Sequence, residues 1–386
     1  MKKDLAEKLS NQQGPKRILS LDGGGIRGIL TLGYLLKVEK ILRERYHNPT
    51  LVLSDYYDLI GGTSTGAIIA SCLALGKPVQ EIINLYKNFG KEVFGNRVWP
   101  IIPRSFTTIR SFLKSTYKSS VLEAKLKEQL GDTCIGDTEK IKCGLAIMAK
   151  RADTYSLWTV ANHPNGIYYE ANKGQKLWEL CRASSAAPYY FSPKKIKLKR
   201  RNGESFDAAF IDGGVSLANN PAFQLFLTCT IPSFGFNWNL GEKNIFISSF
   251  GTGNGVKKQK VNEISNRRTI SWAPEISELF MTDALEMNQA IMQLFGKNYG
   301  PLEFIDSQYQ DLKDVNYITE RIFSFTRFNV KITQDVLKGF GINKSQREVN
   351  SLVQMDHFEN IDTLLEIGKK AALEVMEENF PKAFDI

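Results

Sequence analysis

The chain has 386 residues and a formal net charge of +9, long enough for one large domain with an elaboration. Its 42% hydrophobic and 24% charged residues are ordinary for a globular protein, and its longest apolar stretches fall well short of the roughly 20 residues a membrane-spanning helix requires. The basic balance suits either nucleic acid or an anionic membrane surface and does not choose between them.

Residues 1–16 are polar, hold Gly14 and Pro15, and read as a mobile lead-in. They include no apolar core of a secretory signal, and the five cysteines contain no C-x-x-C pair. Both point to a reducing, cytoplasmic setting, with neither disulfides nor a structural metal.

Residues 17–21 form a short apolar strand that runs into the glycine loop 22–28. Ile29, Leu32, Leu36 and Ile41 then recur at helical spacing. The pattern repeats with a strand at 57–60, a tight turn at 61–66 and a buried helix at 67–75, which Gly76 and Pro78 end. A helix is expected at 79–94, a surface excursion at 95–120 and a helix at 121–130. Strands follow at 143–149 and 157–160, and a helix at 176–182. Residues 194–201 and 206–211 read as a hairpin around Asn202-Gly203. A helix at 223–229, a strand at 244–250 and long helices at 276–295 and 361–380 complete the chain. Alternating strands and helices predict an α/β sandwich on a largely parallel sheet. The glycine-marked turns at 22–28, 61–66 and 212–214 each follow a strand, so they should gather at one sheet edge.

Three clusters carry candidate chemistry. Gly62-Thr63-Ser64-Thr65-Gly66 fits G-x-S-x-G between strand and helix. A serine on that bend is exposed at the amino end of a helix, whose field favours an alkoxide. A purely structural turn is the plainer reading. The loop at 22–28 holds Gly23, Gly25 and Gly28 in G-x-G-x-x-G spacing. It reads as an oxyanion hole built from the Gly23, Gly24 and Gly25 amides, as a dinucleotide site, or as a tight turn. A dinucleotide needs an acid about 20 residues on to hold its ribose, and only Glu44, in a basic helical end, is available. Arg27 either braces the loop or meets a lipid phosphate. Asp212, followed by Gly213 and Gly214, is a candidate base for Ser64 or a turn-capping residue. Only His47, His163 and His357 could complete a Ser-His-Asp triad. None has a convincing context, so a direct Ser64–Asp212 dyad is expected.

These blocks resemble the patatin-like phospholipases. DGGGIRG, GTSTG and IDGG occur in that family's order, with residues 182–191 and 249–253 also similar, over about residues 17–255. The resemblance implies a three-layer α/β/α fold with a mostly parallel central sheet. It implies hydrolysis of fatty acyl esters of membrane phospholipids by nucleophile Ser64 and base Asp212, without metal or cofactor. Gly23, Gly24 and Gly25 would form the oxyanion hole, with Arg27, Gly28, Gly62, Gly66, Gly213 and Gly214 as motif support. The expected division is a catalytic domain at 17–225 and a more helical C-terminal part at 226–386, completing the fold and housing a lid or switch.

A lipid hydrolase works at a membrane surface. Lys194, Lys195, Lys197, Lys199, Arg200 and Arg201 are candidates for contact with anionic lipid, or else the charged face of an edge strand. Ile276, Leu279, Phe280, Met287, Ile291 and Phe295, with Met281 and Met292, suit a lid or acyl channel, or ordinary core. Some bacterial members of the family act in phage defence when a cyclic nucleotide arrives, so a cyclic-nucleotide or protein activator is a further expectation. No nucleic acid polymer is expected as a partner. The competing function is a nucleotide-binding protein without esterase activity.

Overall fold

The computed structural model describes residues 3–12, 14–95, 116–255, 261–266, 272–312, 314–315 and 317–386. Most of the surface excursion expected at 95–120, and the side chain of Ile276, lie outside the described residues.

The strands are β1 (Lys16–Leu21), β2 (Leu59–Thr63), β3 (Gly144–Arg151), β4 (Leu157–Ala161), β5 (Lys194–Lys199), β6 (Ser205–Asp212), β7 (Ile245–Phe250), β8 (Asn254–Gly255), β9 (Gly296–Asn298), β10 (Phe323–Phe328) and β11 (Lys331–Ile332). Nine of them form one sheet, in the order β5-β6-β3-β2-β1-β7-β10-β9, with β4 also paired to β3. β8 and β11 form a separate two-residue ladder. The run from β3 through β2, β1, β7 and β10 to β9 is parallel. β4 and β6 pair antiparallel to β3.

Burial explains the parallel core. β1, β2, β7 and β10 are buried at every position, as expected of parallel strands covered on both faces. Leu19, Leu21 and Ile60 face the helices Gly28–Arg45, Thr65–Ala74 and Ile361–Ala371. Ile18, Leu59 and Ile247 face the helix Ala222–Thr230 together with Trp238 and Met292. The result is the expected three-layer α/β/α arrangement.

Three local differences from the sequence reading have physical causes. The lead-in is not loose: Asp4 and Glu7 form a capping box on the helix Leu5–Leu9. Leu9 and Lys8 are buried. The Lys8 ammonium donates to the Ser54 carbonyl and, at 3.2 Å, to that of Lys142. Next, β9 and β10 were not anticipated. Their short, mixed segments look irregular until β7 is there to pair with β10. Finally, the long helical pattern at 361–380 stops as an α-helix at Ala371 and continues as 3₁₀ turns.

The helix Ala273–Phe295 forms as expected, but Leu279, Phe280 and Met287 are exposed while Met292 is buried. Among the described residues, no helix is long and apolar enough to cross a membrane.

Candidate active site

One edge of β3 brings Ser64 and Asp212 together. β4 occupies the other edge along residues 146–150. β2 and β6 therefore share the remaining edge end to end, β2 opposite residues 144–148 and β6 opposite 149–151. Thr63 is registered with Met148 and Asp212 with Ala149. The chain leaving β2 and the chain ending β6 thus meet at adjacent positions of a third strand.

Ser64 is the bend itself. Its backbone lies at φ 54° and ψ −120°, a conformation costing a non-glycine residue about 1–3 kcal/mol. Neighbouring bonds hold it there. The Ser64 N–H donates to Ser184 Oγ at 2.7 Å, and that hydroxyl donates to the Met148 carbonyl at 2.5 Å. Thr63 Oγ1 donates to the Ala218 carbonyl. Gly66 lets the bend close onto β1, because a Cβ there would strike the Leu21 carbonyl. The helix Thr65–Ala74 begins immediately after the serine and points its positive end at the side chain.

The Ser64 hydroxyl donates to Asp212 Oδ2 at 2.7 Å, and the Gly214 N–H donates to Asp212 Oδ1 at 2.7 Å. Asp212 is 5% exposed. Burial pushes its carboxyl up to about 6, against the Ser64 and Gly214 hydrogen bonds and the charge of Arg182, all of which favour the carboxylate. Arg182 is buried and donates to the Ser192 carbonyl at 2.7 Å. The arrangement can accept a proton from the serine at near-neutral pH.

The glycine loop differs in one respect from expectation. The Gly23 N–H donates to the Asn219 carbonyl at 3.0 Å, so this amide is already engaged. Among the described residues the Gly24 and Gly25 N–H groups meet no acceptor. Gly25 has φ 61°, which glycine adopts without steric cost. The loop is braced from the part of the chain beyond residue 226. Thr252 Oγ1 donates to the Gly23 carbonyl at 3.0 Å, and the Ile26 N–H to the Met355 carbonyl at 2.8 Å. Arg27 bonds the Gly253 carbonyl at 3.0 Å and so ties the loop to the turn after β7.

Asp22, at the loop's start, is gripped by Arg327 of β10 through two bonds of 3.1 and 2.7 Å. Burial pulls the Arg327 guanidinium down, but Asp22 and Glu303 outweigh it and hold the charge above its ordinary value. Sequence reading missed Arg327, Ser184, Asn219 and Met355 as parts of the site. Ser184 lies inside the 182–191 block that resembles the family. Asn219-Asn220-Pro221, closely following the IDGG turn, was a signal of a further built turn. Arg327 and Met355 carry no local pattern.

Ser64, Asp212, Gly24 and Gly25 share a cleft whose apolar lining includes Ile26, Ile68, Phe94, Phe191, Met281 and Met355. No histidine takes part. His357 Nδ1 pairs with Ser351 Oγ at 2.8 Å, His163 lies between the Leu9 carbonyl and the Asn165 N–H, and His47 occupies a turn with φ 49°. Glu44 lies at the far end of the helix Gly28–Arg45, a helix length from the glycine loop, and pairs with Lys40. The ribose contact of a dinucleotide site is not assembled there.

The basic hairpin runs away from the cleft. β5 is the sheet edge, with Ile196 and Leu198 turned inward and Lys195, Lys197 and Lys199 outward. Lys194 pairs with Glu123 at 3.1 Å, Lys195 with Asp207 at 2.6 Å and Arg200 with Glu204 at 3.5 Å. β6 carries the chain roughly 20 Å from the tip beside Arg200 and Arg201 to Asp212.

Among known proteins, the family described as patatin-like phospholipase matches residues 19–226. Over 237 residues the chain is 29% identical to a cGAMP-activated phospholipase of Escherichia coli (strain TW11681), covering 61% of this chain and 62% of that protein. Over 284 residues it is 28% identical to Patatin-17 of Solanum cardiophyllum, covering 69% of this chain and 68% of the relative. The match thus spans under two thirds of the first relative's length. A solved structure of human GIVD cytosolic phospholipase A2 aligns at a TM-score of 0.48 with 9% identity, over 96% of this chain and 62% of that one.

The Ser184 hydroxyl links the strained bend to β3 inside a dry site. Ser184→Ala should orphan the Ser64 N–H and the Met148 carbonyl and lower unfolding free energy by about 1–3 kcal/mol. Denaturant unfolding measures this, and an unchanged midpoint would show that the bend needs no buttress.

Proposed function

This chain belongs to the patatin-like phospholipase family, and from that premise we propose that it hydrolyses fatty acyl esters of membrane phospholipids, with Ser64 as nucleophile and Asp212 as base. What supports this most is the 2.7 Å bond from the Ser64 hydroxyl to Asp212 Oδ2 inside an apolar cleft. A buried carboxylate beside a hydroxyl, in a cleft that accepts hydrocarbon, suits acyl transfer better than phosphate binding.

The chemistry balances with these groups alone. Ser64 Oγ attacks the ester carbonyl carbon as its proton passes to Asp212 Oδ2. The carbonyl oxygen becomes an oxyanion and accepts from the Gly24 and Gly25 N–H groups, which meet no competing acceptor among the described residues. The tetrahedral intermediate collapses, the C–O bond to the glycerol oxygen breaks, and the Asp212 proton goes to that leaving oxygen. The lysolipid departs and the acyl group stays on Ser64. Water then gives a proton to Asp212 and attacks the acyl carbon. The proton returns to Ser64 Oγ as the fatty acid leaves. The cleft's aliphatic and aromatic lining holds the acyl chain and excludes bulk water. The protein acts peripherally at the membrane, where this substrate resides.

The relative named a cGAMP-activated phospholipase supports a second element: activity gated by a small cyclic nucleotide. If so, adding cGAMP to the purified protein raises vesicle hydrolysis. Equal rates with and without it would remove this element and leave the chemistry intact.

Incubated with mixed phospholipid vesicles and read by mass spectrometry, the wild-type protein should release free fatty acid and lysolipid. Ser64→Ala and Asp212→Asn should each lose roughly 10³-fold or more in rate, whereas His357→Ala should stay within about a few-fold, since it removes no group from the dyad. Full loss in the His357 variant would overturn the dyad.

The proposed base works as a carboxylate, and burial raises its folded value to about 6. Protonation on going below that value removes the base. The pH profile of kcat/KM should therefore show an acid limb near pH 6, falling about tenfold per unit below it. A profile flat down to pH 4 would exclude Asp212 from the rate-determining proton transfer.

A further inference from the structure

The aromatic wall of the cleft is held by a residue far outside the family's matched stretch. Tyr117 is fully buried, and its hydroxyl donates to Asp356 Oδ2 at 2.7 Å. Its ring meets Phe94 edge-on with centroids 5.3 Å apart, lies against Phe191 at 5.9 Å, and stacks on Tyr190 at 6.4 Å with a 12° interplanar angle. Phe94, Tyr190 and Phe191 line the cleft that holds Ser64, and Tyr117 stands behind them.

Asp356 is itself 8% exposed, and a phenol–carboxylate bond in a dry interior is stronger and more directional than one in water. The preceding residue, Met355, lines the same cleft, and its carbonyl accepts from the Ile26 N–H. Two consecutive residues of the C-terminal third therefore grip the glycine loop on one side and the aromatic wall on the other.

We propose that Asp356, acting through Tyr117, is a positioning residue that sets acyl-chain selectivity. The inference rests on the acyl-hydrolase reading of the cleft. The Tyr117 ring fixes the stance of the three wall rings. Without its anchor, Tyr117 tilts and the wall closes on the space a long chain needs. A short acyl group, bound near Ser64, makes less use of that wall. A long chain runs along it, so loss of the anchor raises KM for long chains more than it lowers kcat.

The test uses the full chain with p-nitrophenyl butyrate and p-nitrophenyl palmitate, kcat and KM being measured on each. Tyr117→Phe and Asp356→Ala should each lower the palmitate-to-butyrate ratio of kcat/KM by about tenfold, mainly through KM for palmitate. Asp356→Asn, whose side-chain oxygen still accepts, should recover most of that loss. The double variant should lose no more than Asp356→Ala alone, because the Tyr117 hydroxyl bond is already gone in that variant. Tyr117→Phe keeps the ring, so it gives the answer even if Asp356→Ala fails to fold. An unchanged ratio, an equal fall on both esters, or additive losses in the double variant would overturn the positioning role. If wild-type butyrate hydrolysis is absent or persists in Ser64→Ala, the acyl-hydrolase reading falls and this inference falls with it. An unchanged ratio in a Ser64-dependent enzyme sinks the positioning role alone.

Discussion

The hydrogen bond from Ser64 to Asp212 exists because one strand offers a single free edge to two others. With β4 on one side of β3, β2 and β6 must share the other side end to end. Their junction falls between Met148 and Ala149, and Ser64 and Asp212 leave the backbone at that point. The serine arrives from a parallel strand and the aspartate from an antiparallel one, so neither strand has to be broken to bring them together. Ser184 then fastens the junction, since its hydroxyl accepts from the strained bend and donates to β3 in the same place. Moving the register of β6 by one residue would turn Asp212 to the opposite face of the sheet.

Burial gives this pair its chemical character. In water an aspartate is a poor acceptor for a hydroxyl proton. In the dry junction its carboxyl rises to about 6, while the Gly214 amide and Arg182 keep it from rising further. The same dryness strengthens whatever the unengaged Gly24 and Gly25 N–H groups meet, because little water competes for them. The loop that presents those groups is short, and it is held from outside. Arg327 clamps Asp22, Thr252 holds the Gly23 carbonyl and Met355 receives the Ile26 N–H. The C-terminal part, from residue 226 onward, thus braces the site as well as filling out the sheet through β7, β10 and β9.

Charge plays a smaller part in placing the site than the composition suggests. The +9 balance includes a hairpin whose basic residues Lys194, Lys195 and Arg200 are matched by Glu123, Asp207 and Glu204. Such residues discourage edge-to-edge pairing. The apolar lining, with Met281 and Met355 contributed by distant segments, defines the cleft.

Local chemistry is what the amino-acid sequence determines here. Gly62, Ser64 and Gly66 specify a sharp bend through sterics alone, period-3.6 and continuous apolar runs specify helices and buried strands, and three glycine-marked turns after strands specify a common edge. These features point to an α/β sandwich and place Ser64 and Asp212 at one edge of its sheet. Tertiary structure decides what depends on partners far away in the chain. It engages the Gly23 amide with the Asn219 carbonyl, and it makes strands of residues 296–298 and 323–328 because β7 offers an edge. It buries Arg327 against Asp22 across 305 residues and sets Asp356 behind the cleft wall. A pairing of that kind leaves no periodic trace, since its energy comes from desolvation and contact that exist only once the sheet has closed.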